Sequence, residues 1–208
     1  MRTNIIIATL LFACCDLAIA ASDAVNEFAS GHRTKYSTEG HPKSKGISMT
    51  IHYPKSWRAK EGDRPNVVQN FVSDGGQGFE IAMIQTYYTK LPAGTMMSEK
   101  EQLNLFTPSE LKRFVPPEMT FISAMSTRID RVPAGIVEYS ARTESAGQVI
   151  DSQSIHYIFF YGNIMIQFHC MVAMGQGATT VALTQKMNKF RPLFTAMASS
   201  IVLMNQWK

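Results

Sequence analysis

The chain has 208 residues, 45% of them hydrophobic and 17% charged, and a formal net charge of +4. That length and balance fit one globular domain, or at most two small ones, and the absence of internal repeats or biased segments excludes a solenoid or a disordered chain. The mild basic excess allows an anionic partner without demanding one.

The first residues read as a targeting segment. Arg2 gives a positive start, Ile5 to Cys15 is an apolar run, and Ala18-Ile19-Ala20 is a small-x-small cleavage site. The run is too short for a retained bilayer-spanning helix. Residues 1–20 are therefore expected to be removed, leaving a periplasmic or secreted chain that starts at Ala21 and has no nucleic acid to meet. A rival reading takes Leu11-Phe12-Ala13-Cys14 as a lipoprotein signal, with the chain anchored through Cys14. Cleavage after Ala20 also removes Cys14 and Cys15. Cys170 is then alone and cannot close an internal disulfide, so the fold must rest on its core.

Residues 21–45 are polar and rich in Ser, Gly, His and Lys. They read as a loose arm with a short edge strand near Arg33–Tyr36, ahead of a single domain over 46–208. Gly40 to Gly46, GHPKSKG, has the wrong spacing for a phosphate loop. In Gly46 to Tyr53, Ile47, Met49, Ile51 and Tyr53 alternate with polar residues, which predicts a half-buried strand. Lys60 to Pro65 reads as a charged loop. Val67 to Val72 and Gly78 to Tyr88 follow as strands around Asp74-Gly75-Gly76. Short connections predict antiparallel pairing among these three strands.

Ser98 with Glu101 forms a capping box, and Thr107-Pro108-Ser109-Glu110 is a second helix start, so the helical region is broken or kinked at Pro108. Thr120 to Asp130 and Gly135 to Thr143 are further strands. Gln148 to Ala173 is the longest apolar run. Gly162-Asn163 at its middle suits a two-residue type II′ turn, which makes the run a β-hairpin. That turn fixes the register. Tyr161, Phe159, Tyr157 and Ile155 face Ile164, Ile166, Phe168 and Cys170 on a core face. Phe160, Ile158, His156 and Ser154 face Met165, Gln167, His169 and Met171 on a mixed one. Thr179 to Phe190 is a helix, restarted or kinked at Pro192 toward Ser199, and Ile201 to Leu203 is a last short strand. The order predicts an α+β fold, a largely antiparallel β-sheet with helices packed on it.

The strand ending in Tyr53-Pro54-Lys55-Ser56-Trp57, and the last strand pair leading through a helix to Ser200-Ile201-Val202-Leu203, resemble the PsbP-like fold. The resemblance implies an antiparallel sheet between helices and a non-enzymatic binding or assembly role in an exported protein. It carries over no metal site.

Several residues are candidates for chemistry. Signatures of hydrolases, redox dithiols and calcium loops are absent from the sequence. His156 and His169 fall on a non-hydrogen-bonded pair of the hairpin, where Cα atoms approach to about 4.5 Å. Two imidazoles so close offer a start for Zn or Cu, with Met165 and Met171 on the same face. Trp57 offers a stacking surface, and Lys55 and Arg58 belong to a basic run from Lys43 to Arg64 that suits an anionic surface. The expectation is an exported, non-catalytic domain that binds a protein partner in the envelope. A small-molecule or metal-ion carrier using His156 and His169, and an unrecognised envelope enzyme, stand as alternatives.

Overall fold

The computed structural model describes residues 23–145, 148–175 and 177–207. The signal segment, the cleavage site and Cys14 lie outside them.

The fold is α+β with two antiparallel sheets. In chain order the strands are β1 (Arg33–Ser37), β2 (Met49–Pro54), β3 (Arg58–Glu61), β4 (Val67–Val72), β5 (Glu80–Tyr88), β6 (Thr120–Ile129), β7 (Val132–Ser145), β8 (Gln148–Tyr161), β9 (Ile164–Met174) and β10 (Val202–Leu203). The helices are α1 (residues 23–29), α2 (Glu99–Leu105), α3 (Pro108–Leu111) and α4 (Thr180–Ser199). The large sheet has seven strands in the order β3-β4-β5-β9-β8-β7-β6, and the small one has the order β1-β2-β10.

The β8–β9 hairpin lies inside the large sheet, and its register runs from Tyr161 opposite Ile164 to His156 opposite His169, as the turn dictates. Gly162 takes a φ of +58°, the left-handed value that a type II′ turn asks of its first central residue. Phe159, Ile166, Phe168 and Cys170 on the inner face are all 0% exposed. Leu183, Met187, Phe190, Phe194 and Met197 of α4 cover them, and Met49, Ile51 and Leu203 of the small sheet join the same core. A second, smaller core lies on the outer face. There Phe106 and Leu111, from the α2–α3 region, cover Val137 and Tyr139 of β7 and Ile158 and Phe160 of β8.

The local signals explain the helices. Ser98 and Glu101 cap α2 reciprocally, and the Thr107 side chain caps α3, with Pro108 in its first turn. No described helix is long and apolar enough to cross a membrane.

Four expectations are corrected. The first strand does not pair with the next two. The turn through Pro54–Trp57 carries the chain away, and β2 pairs instead with β1 and β10. The charged stretch read as a loop from Lys60 begins as β3, an edge strand paired to β4; its charges obscure it because an edge strand has little to bury. The arm is not loose: α1 buries Ala24 and Phe28, and Thr38 is buried with its hydroxyl 2.7 Å from the Ile47 carbonyl, while the edge strand expected near Arg33–Tyr36 is present as β1. Finally, α4 does not restart at Pro192 but continues through it, with Leu193 and Phe194 buried in the core.

Candidate functional site

The outer face of the large sheet is covered on one side only. The α2–α3 layer lies over β6, β7 and the neighbouring part of β8. Beyond it, the side chains of β9 and β5 that point outward are half-buried, with Met165 packed against the edge of that layer. Strand alternation and the pairing β5–β9–β8 put Met83, Gln85 and Tyr87 in rows with His169, Gln167 and Met165, and these with His156, Ile158 and Phe160.

A polar network sits at the centre. The rings of His156 and His169 stack at 3.8 Å between centroids and 35° between planes. The Nε2 of His156 is hydrogen-bonded to the Tyr139 hydroxyl at 2.7 Å, and that of His169 to Ser154 Oγ at 2.9 Å. Burial holds the His169 imidazole at a pKa of about 4. Burial, and then the charge of His169, hold His156 well below the usual value, with a hydrogen bond that the Gln167 side chain accepts acting the other way. Both rings are therefore neutral at pH 7. The amide of Gln85 donates to Met83 Sδ at 3.1 Å, and Tyr87 donates its hydroxyl to Gln85 Oε1 at 3.2 Å.

This geometry bears on the expected chemistry. The two imidazoles are tilted by 35° with centroids 3.8 Å apart, and both Nε2 atoms are already bonded to hydroxyls. Among the described residues no three of His, Cys, Asp and Glu gather closely enough to hold an ion. Zn²⁺ or Cu²⁺ bound at either Nε2 would have to displace the hydroxyl it now meets. The Ser154–His169 bond has the partners of a nucleophile and its base. However, Ser154 is 3% exposed, and no carboxylate acts on either imidazole. Cys170 is fully buried and its thiol is pushed well above the usual value, which keeps it protonated.

The sequence candidates for binding do not gather. Trp57 is 4% exposed and meets Phe194 edge-on at 6.3 Å, so no face of its indole is open for stacking. Its place at the entry to β3 seals the core. Lys55 is exposed in the preceding turn. Arg58 and Lys60 alternate with Ala59, which faces the core, so both stand on the outer side of β3. Exposed Arg64 lies close enough to Tyr87 to act on its phenol. The acid of the same strand, Glu61, is turned away and paired with Lys43 at 3.0 Å.

Where α2 meets the open face, a cleft of about 470 Å³ is lined chiefly by Leu91, Met97, Leu105 and Phe160. The residues that sequence reasoning missed are Met83, Gln85 and Tyr87. Their alternation was visible, but which neighbour β5 would take, and hence what its outer face would join, was not.

No family model matches the chain, and no curated protein matches it. Solved structures similar to it include the following two. One, from Bacteroides thetaiotaomicron VPI-5482, shares 12% identity over 77% of this chain and 46% of its own, with a TM-score of 0.41. The chain thus spans less than half the length of that protein. The other is LpqN, involved in cell envelope biogenesis of Mycobacterium tuberculosis, with 14% identity over 84% of this chain and 93% of its own and a TM-score of 0.42.

Proposed function

We propose that this chain is an exported, non-catalytic binding or assembly domain of the PsbP-like fold, which acts on a protein partner in the cell envelope. The outer face of β5 and β9 carries the reading. It is a patch of Met83, Met165, Met171, Tyr87, Gln85 and Gln167 beside the histidine pair, with no Lys, Arg, Asp or Glu among them. Charge depletion with Met and Tyr at the centre and arginine at the rim is the composition of a protein interface core. Methionine adapts its shape to what it meets, which suits a surface that must fit another. The targeting segment at the start of the sequence supports the envelope.

The test is affinity capture from an envelope fraction, comparing wild type with Gln167→Arg and with Lys189→Glu on the far side of the molecule. One protein retained by wild type and Lys189→Glu, and lost with Gln167→Arg, is the expected outcome. Equal retention by all three would remove the outer face from the function.

A further inference from the structure

We infer that the open half of the outer face receives an amphipathic α-helix from the partner, with an acidic flank toward β3 and a large apolar side chain in the cleft beside α2. This rests on the binding role proposed above and adds the chemistry of the partner.

The shape of the vacancy argues for a helix. The α2–α3 layer reaches Met165 at the near edge of β9, and the Asp74–Gly76 turn lies over Arg58 and Lys60 on the outer side of β3, so the floor between them is formed by β9, β5 and β4. With strands about 4.8 Å apart, three of them offer a floor about 10 Å wide between outer strand axes. A helix with its side chains is about 10–12 Å across, so one helix fits beside α2 and completes the layer. A strand does not suit the place. It would lie on a face, where the sheet has no free ladder groups to offer, and its own N–H and C=O groups would be left unpaired. A helix satisfies its backbone internally and needs only side-chain contact.

The chemistry of the floor narrows the occupant. Ile81, Met83, Tyr87 and Met165 give apolar contact, and Gln85 and Gln167 give amides at its centre. The edge along β3 is cationic, with Arg58 and Arg64 exposed on the floor's side, the Lys60 ammonium bonded to the Gly76 carbonyl at 2.7 Å, and Glu61 turned away. An acidic flank meets that edge with complementary charge. On the opposite side, Glu101 is occupied by the cap of α2, where it accepts from Ser98. The cleft at that side has apolar walls, Leu91, Met97 and Leu105, and Phe160 as its base. Interfaces of this kind concentrate affinity in one large side chain that fills such a pocket.

The experiment measures fluorescence anisotropy of labelled synthetic helical peptides of about five turns with the full chain. One peptide has Leu, Met and Phe on one face and Glu on the flank, one has Lys in place of Glu, and one is the acidic peptide scrambled. The acidic helix is expected to bind at least about tenfold more tightly than either control. It is expected to lose about tenfold with Leu105→Asp and more with Gln167→Arg, while Lys189→Glu changes nothing. Melting temperatures of the variants identify any that fail to fold, and Met83→Asp then replaces them.

Equal binding of the three peptides, or no binding, overturns the inference. A dimer in sedimentation that Gln167→Arg dissociates would give the floor to a second copy and contradict a partner helix. Capture lost with Gln167→Arg while the acidic peptide fails to bind would retain the binding face and reject the helix alone.

Discussion

His156 and His169 stand directly opposite each other across the hairpin and stack with ring centroids 3.8 Å apart, each with its Nε2 bonded to a hydroxyl of the same face. Their arrangement is stable only while both are neutral. A base with a depressed pKa in the folded state is protonated more readily in the unfolded one. Stability from the pair is therefore complete above about pH 6.5, the unfolded value, and falls with pH toward about 4, the folded value of His169. For His169 alone the loss is on the order of 3 kcal/mol at most. The paired variant His156→Gln with His169→Gln is expected to remove most of the slope between pH 6.5 and 4. Urea midpoints across that range check it, and parallel curves for variant and wild type would exclude the pair as the cause.

Gly135 is where α3 comes closest to the sheet. A Cβ there would lie 2.2 Å from Leu111 Cδ2 and 2.8 Å from Phe106 Cδ1, and both of those side chains are fully buried. Gly135→Ala should cost about 1–3 kcal/mol, the usual penalty for forcing volume into a packed core. Chemical denaturation measures it. An unchanged midpoint would mean that the α2–α3 layer does not press on β7.

Lys186 and Glu80 form an ion pair at 2.5 Å, with each side chain only 8% exposed. Lys186 also donates to the Ala173 carbonyl at 2.9 Å, and Ser73 donates its hydroxyl to Glu80. Removing one partner leaves a buried charge, so Lys186→Met alone should cost about 3–5 kcal/mol. Lys186→Met combined with Glu80→Gln removes both charges and should recover much of that. A double variant as unstable as the sum of the singles would show that the two do not act as a pair.

Phe168 is 0% exposed against the α4 layer. Phe168→Ala should destabilise by about 3–5 kcal/mol. A urea midpoint equal to that of wild type would be incompatible with this register, because slipping by one residue exchanges Phe168 for His169.

The hairpin was legible because a two-residue turn and a period of two determine every pair once Gly162-Asn163 is found. The capping box of α2 was legible for the same reason, since its residues make each other's bonds locally. Which strands become neighbours was not legible. Nothing in Ile47 to Tyr53 distinguishes a partner in one sheet from a partner in another, and β3 hides its strand in charged residues. The histidine pair was found by register alone. The same register puts Ser154 on their face, but Tyr139, the partner of His156, joins them only through the pairing of β7 with β8, which the sequence does not state. The open face emerged only when β5 was seated beside β9.

Photo-crosslinking tests the central claim most directly. A benzoylphenylalanine placed at Gln167 or Met83, in the outer face, should crosslink in the living envelope to one protein, through a segment that proteolysis and mass spectrometry identify. The same group at Lys189 on α4 should give no such product. Crosslinks of equal yield from Lys189, or none from either outer-face position, would contradict the assignment of that face to a partner.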